Sequence, residues 1–180
     1  TALNTLDGNS SGVINASNIN TISGSYADLN TAYTANGNGS ISGLGNEAVS
    51  ITSSVTTAQA NTIAAFSSGV VSATLSDGDM ATLAGLNETG NAYSITITDS
   101  SVAAAALNTL NGKTTTAVNA SNINTLTGAA ADLNTAYTAN GSGSITGSAL
   151  TEINGTAAAV VQAIADLDND PTNFNSTLTG

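Results

Sequence analysis

The chain has 180 residues, only 7% of them charged, and its formal net charge of −11 leaves a single basic residue, Lys113. With nothing to replace phosphate counterions, nucleic-acid binding and attachment to anionic membranes are excluded; with neither Cys nor His, thiolate, imidazole and zinc chemistry are excluded too. Hydrophobic residues reach 41% but aromatics only 3%, so any core is narrow and built from Ala, Val, Ile and Leu under a surface of Ser, Thr and Asn.

Two kinds of hydrophobic period alternate along the chain. Val13-Ile14-Asn15-Ala16 is a weak strand pattern, and Tyr26, Leu29 and Tyr33 recur at helical spacing. Val49 and Ile51 suggest a strand, and Ala58 to Ser68 a helix weakened by Thr, Asn and Ser. Val71, Ala73 and Leu75 alternate with Ser72, Thr74 and Ser76 as a half-buried strand does. Met80, Leu83 and Leu86 predict a helix, with Asp77 or Asp79 as its cap and Gly90 beyond it. Tyr93, Ile95 and Ile97 alternate with Ser94, Thr96 and Thr98. Ala103, Ala106, Leu107 and Leu110 form a helical stripe, with Ser100 or Ser101 as cap and Gly112 as a left-handed terminator. Ala117-Val118-Asn119-Ala120 is a strand, while Ala130, Leu133 and Tyr137, then Ala157, Val160, Val161 and Ile164, are helical.

Repetition is the strongest signal. Residues 2–43 return as residues 106–147 at a constant offset of 104, including Asn15 to Thr21 as Asn119 to Thr125 without change and Ala27 to Gly37 as Ala131 to Gly141. A shorter beat follows Gly8, Gly37, Gly69, Gly90, Gly112 and Gly141, taken as closing each apolar stretch. A helix of about 11 residues and a strand of about 5 both span roughly 16 Å, so one can return the chain to the start of the other. The fold class expected is therefore α/β: a right-handed parallel solenoid of short strand and short helix coils, a single array over residues 1–180 with about five to seven coils. An all-β parallel β-solenoid is the alternative.

No catalytic constellation emerges, and no cofactor is expected. A carboxylate-only enzyme would need a deliberate acid pair, whereas Asp28 and its repeat Asp132 read as a solvated helix face. Calcium is the best specific alternative: Asp166, Asp168 and Asp170 alternate as at the start of an EF-hand loop, but the Gly at the sixth position and the closing Glu are missing, and a helix end before Pro171 accounts for them. Asp77, Asp79 and Asp99 read as turn and cap residues. The sequons at Asn15, Asn87, Asn119, Asn154 and Asn175 follow from composition, and Asn15 and Asn119 are placed to form an asparagine ladder. Outward Ser72 and Thr74, and Thr96 and Thr98, raise a second reading, a surface-binding module for carbohydrate, ice or mineral.

The phrases Leu3 to Asn9, Asn122 to Gly128, Ala130 to Tyr137 and Leu44 to Val49 resemble the repeats of very large cell-surface proteins of marine cyanobacteria, often labelled calcium-binding or haemolysin-like. The resemblance covers about two thirds of the chain. It implies secretion, surface display and a structural or adhesive role, and it carries over no catalytic residue. The chain opens in mid-pattern with no signal peptide, as a piece of something longer would, and neither Thr1 to Gly12 nor Asn173 to Gly180 has the polar look of a cap. The function expected is a non-enzymatic segment of an extracellular fibre, sheath, surface layer or adhesin, with a phage fibre as a further possibility. Its expected partners are its own kind, by end-to-end self-association or by continuation of a longer chain, with no nucleic acid and no membrane insertion.

Overall fold

A computed structural model describes residues 1–147 and the backbone of two further strands, 152–156 and 175–179. The helix expected over Ala157, Val160, Val161 and Ile164 lies outside the described residues. The chain is mixed α/β, with six helices and several small parallel sheets among the described residues, and so departs from the all-β alternative. It divides into two compact units, Thr1–Ser76 with Leu86–Ser94 and Asp77–Gly85 with Ile95–Gly180.

The first unit contains α1 (Ala2–Gly8), β1 (Ile14–Asn15), β2 (Thr21–Gly24), α2 (Tyr26–Asn38), β3 (Ile41–Ser42), β4 (Ala48–Ile51), α3 (Thr57–Ala64), β5 (Val71–Thr74) and β6 (Ala92–Ser94). Strands β2, β4, β5 and β6 lie side by side in chain order and run parallel, so each connection must carry the chain back across the sheet. Helices α2 and α3 lie within two of these connections. The register places Ile22 beside Val49 and Val49 beside Val71, all buried, and the alternation read from the sequence is present: Val71, Ala73 and Leu75 are buried while Thr74 and Ser76 are exposed. Leu29, Ala32 and Tyr33 from α2 and Ala60, Ile63 and Ala64 from α3 are buried with them. Each fully buried Leu, Ile or Val adds about 1.5–3 kcal/mol, which a core of small residues must collect from many positions.

Local chemistry sets the ends of these helices. Ser25 precedes α2 and its hydroxyl accepts the Asp28 N–H at 3.2 Å, satisfying one orphan donor of the first turn; Gly39, at φ 87°, ends the helix in the left-handed region. The poor formers in α3 are offset by a capping box: the Thr56 hydroxyl accepts from the Gln59 N–H and the Gln59 side chain accepts from the Thr56 N–H. That helix stops at Ala64, short of the expected Ser68.

The second unit contains α4 (Met80–Leu83), β7 (Ser101–Ala103), α5 (Ala104–Asn111), β8 (Val118–Asn119), β9 (Thr125–Thr127), α6 (Ala130–Gly141), β10 (Ile145–Thr146), β11 (Glu152–Thr156) and β12 (Asn175–Thr179). Strands β7, β9, β11 and β12 again follow chain order in one parallel sheet. Asp79 caps α4 as expected, accepting the Thr82 N–H at 2.9 Å, and Asp99 caps the same helix by accepting the Met80 N–H at 2.6 Å. Leu86, expected within this helix, lies beyond its end yet is buried.

Three sequence expectations are corrected. Neither Ser100 nor Ser101 caps α5: Ser101 to Ala103 pair with β9, so Ala103 takes the cap position without a side-chain bond, and the buried stripe is Ala104, Leu107 and Leu110 while Ala103 and Ala106 are exposed. Gly112 ends α5 at φ −71°, a right-handed conformation, because the chain continues in a tight turn. The left-handed backbone falls at Gly39, Gly90 and Gly143 among others, so that of the glycines in the beat Gly90 turns left-handed, while Gly8, Gly37 and Gly141 sit inside helices.

Candidate functional site

The expected calcium candidates Asp166, Asp168 and Asp170 lie outside the described residues. Among the described residues no group of three or more potential ligands gathers to hold a metal ion, and no helix is long and apolar enough to cross a membrane. One depression of about 250 Å³ is lined by Ser67, Glu88 and Asn91 among others, and one of about 230 Å³ by Met80, Leu83, Leu110 and Lys113 among others. Neither brings together two carboxylates, which acid–base hydrolysis of a glycoside requires.

Chemically specific contacts are concentrated where successive segments meet, and asparagine makes most of them. The Asn4 amide donates to the Asp28 carbonyl at 2.9 Å; in the second copy of the repeat the Asn108 amide donates to the Asp132 carbonyl at 2.8 Å. Asn36 accepts the Leu44 N–H at 3.1 Å, Asn61 the Asn87 N–H at 3.1 Å and Asn91 the Val71 N–H at 2.8 Å, while Asn122 donates to the Ile97 carbonyl at 2.8 Å. A short neutral side chain with both donors and an acceptor can satisfy backbone groups between strands without burying charge.

The two copies of the long repeat pair in the same register. Ile14 pairs with Ile41 and Thr21 with Ala48 in the first copy, Val118 with Ile145 and Thr125 with Glu152 in the second, and every one of these pairings takes the same step along the chain. Thr31 and Thr135 each donate to the carbonyl four residues earlier at 2.9 Å, and Asn15 and Asn119 each accept the N–H two residues later at 3.0 Å. This last bond corrects the asparagine ladder: Asn15 and Asn119 turn back on their own chain, and their strand partners are Ser42 and Thr146. The turn that follows needs glycine, since a Cβ on Gly43 would lie 2.8 Å from the Ser17 nitrogen at φ 87°, and Gly147 stands at the same point with φ 73°.

The sequence reasoning missed a buried carboxylate. Glu47 is 1% exposed and receives the Tyr33 hydroxyl, the Gly45 N–H at 2.8 Å and the Asn46 N–H at 3.1 Å. Burial opposes its ionisation, but these donors prevail and hold the carboxyl below its ordinary range, while burial and the neighbouring carboxylate push the Tyr33 hydroxyl up. The Glu47 carbonyl accepts the Ser67 hydroxyl at 2.6 Å, and Phe66 stacks on Tyr33 with centroids 5.1 Å apart. The donors to Glu47 are fixed, and the arrangement is a lock between α2, β4 and the turn after α3. Glu47 lies beyond the repeated residues 2–43, and the position 104 residues on is Thr151, so the repeat carried no signal for it.

The outward hydroxyl rows are interrupted. Ser23, Ser50 and Ser72 fall in one column of the register, but the next rung is Ala92; Thr74 pairs with Ser94, and Thr96 bridges to Asn119. No protein-family model, no curated protein and no solved structure matches this chain.

Proposed function

We propose that the chain is a non-enzymatic structural segment of a secreted repeat protein, a parallel solenoid whose coils stack end to end in an extracellular fibre, sheath, surface layer or adhesin. The observation that carries this reading is the shared register: in each copy of the long repeat two separate ladders advance by one and the same step, so that one turn of chain is laid on the next as a unit. Within the first unit the ladder goes on from Val49 to Val71 and from Ser72 to Ala92; within the second it runs from Ser101 to Thr125 and from Glu152 to Asn175. Steps of this size, roughly 20–27 residues, are solenoid coil lengths.

Composition supports the rest. A chain without Cys and with one Lys is inert to thiol oxidation and offers trypsin a single target, which suits life outside a cell. The resemblance to cyanobacterial surface repeats points the same way. The contacts between turns of chain hold length rather than a pocket, and the natural partner is a further coil of the same kind. Electron microscopy of the native material, with antibody labelling of intact cells, tests this reading. Labelled surface filaments or sheets are expected; label confined to the cell interior, or dispersed compact particles at every concentration, would overturn it.

A further inference from the structure

The leading face of the long repeat is covered in the second copy, and in the first it is uncovered among the described residues. Within the second unit, Leu107, Leu110, Val118 and Ile123 are buried at 2%, 3%, 0% and 1% exposure. Their equivalents Leu3, Ile14 and Ile19 are only half-buried, Leu6 is 55% exposed, Val13 is 67% exposed, and α1 has no buried residue at all. The coil that makes the difference is Asp77–Gly85 with Ile95–Ala103. Its Ile95 carbonyl accepts the Asn119 N–H at 2.9 Å, its Ile97 N–H donates to the Asn119 carbonyl at 2.9 Å, and its Ser100 carbonyl accepts from Asn124 and Thr125 at 3.0 and 3.1 Å. The Asn122 amide adds its bond to the Ile97 carbonyl, and β7 pairs with β9. In the first copy the N–H groups of Asn15, Asn20 and Thr21 and the Asn18 amide have no partner among the described residues, and β2 lies at the sheet edge.

We propose that the face formed by Leu3, Leu6, Val13, Ile14 and Ile19, with the outward N–H groups of Asn15, Asn20 and Thr21, is a docking surface for a second copy of the coil formed by Asp77–Gly85 with Ile95–Ala103. This deepens the stacking function, on which it rests, by naming the coil type that seats there. The side chains and hydrogen-bonding groups of the face are those that already hold this coil in the second copy of the repeat, with Val13 for Ala117 and Ile14 for Val118 as the conservative changes. Apolar side chains and unpaired strand groups exposed together are the features that strand addition satisfies.

The repeat register supplies the test. Residues 77–105 are joined directly ahead of Ala2, which is the equivalent of Ala106, and the extended chain is compared with the original by thermal unfolding and amide exchange. Docking predicts a melting temperature higher by about 5 °C or more, with exchange at Asn15 and Thr21 slowed by about tenfold or more. Leu6→Asp should be nearly silent in the original chain and strongly destabilising in the extended one. An extended chain with unchanged melting, unprotected Asn15 and Thr21, and a silent Leu6→Asp overturns the proposal. If the extended chain does not fold, a peptide of residues 77–105 is added to the original: NMR shifts confined to residues 3–21 support docking, and their absence overturns it. Docking without filaments in the native material would leave this surface standing while removing the scaffold function, and filaments without docking would do the reverse.

Discussion

Asn108, on α5, donates its side-chain amide across to the carbonyl of Asp132, on α6, at 2.8 Å. The bond joins two helices that follow successive strands of one parallel sheet, and Asn4 makes the same bond to Asp28 at 2.9 Å. In both places the amide oxygen, Asn4 Oδ1 or Asn108 Oδ1, is buried without a partner among the described residues, so the interaction is retained with its imperfection. Asn108→Ala and Asn4→Ala should each cost about 0.5–1.5 kcal/mol, with values that agree within about 0.5 kcal/mol. Urea unfolding of the two variants checks this, and a large cost for one alone would show that the copies are not energetically equivalent.

Helix capping distinguishes the copies. Ser25 caps α2, whereas Ala129 holds the same extended conformation ahead of α6 with no side-chain bond. Ser25→Ala should lose about 1 kcal/mol and Ala129→Ser gain about 0.5–1 kcal/mol. Thermal and urea unfolding should therefore move in opposite directions for the two variants.

Glu47 should impose a pH dependence. Its folded carboxyl lies below the ordinary range, so its contribution is fully present above the unfolded carboxyl range and is lost as pH falls through the folded value, below about 4.5. Glu47→Gln should flatten the stability profile in that acid window, and Tyr33→Phe, which removes a charge-assisted bond, should cost about 1.5–3 kcal/mol at neutral pH. Stability measured across the acid to neutral range reads both effects; an unchanged acid limb in Glu47→Gln would contradict the assignment.

Glycines of two kinds should respond with opposite signs. A Cβ on Gly69 would lie 2.2 Å from the Glu47 carbonyl oxygen, and since backbone cannot yield that far, Gly69→Ala should destabilise by about 3 kcal/mol or more. Gly37 is in α2 with nothing within 4 Å of its Cβ position, so Gly37→Ala should stabilise by about 0.5–1 kcal/mol. Denaturant midpoints for the pair separate packing from conformational entropy.

These contrasts mark how far the sequence could be read. Tyr93, Ile95 and Ile97 are buried and Ser94, Thr96 and Thr98 exposed, as period-two alternation requires, and Asp79 caps the helix placed after it, because both signals are local. The capping box at Thr56 and Gln59 was equally local, and its pattern stood in the chain unread beside weak propensities. The Ser100 or Ser101 cap failed because strand pairing with β9 claimed that backbone first. The left-handed terminator expected at Gly112 failed because a glycine near a helix end does not reveal which residue turns left-handed. Glu47 was illegible for a different reason: its partner Tyr33 lies 14 residues away on another element, and only the fold sets the two against each other. The asparagine clips span from 8 to 26 residues and were hidden in the same way.

The central claim is that each turn of chain adds length along one axis, and a chain carrying a second in-frame copy of residues 2–105 tests it most directly by small-angle X-ray scattering. Four coils at about 4.8 Å each should extend the maximum dimension by about 19 Å at constant cross-section. Growth in all directions, with a radius of gyration rising only as a compact body's does, from roughly 16 to 19 Å, would contradict it.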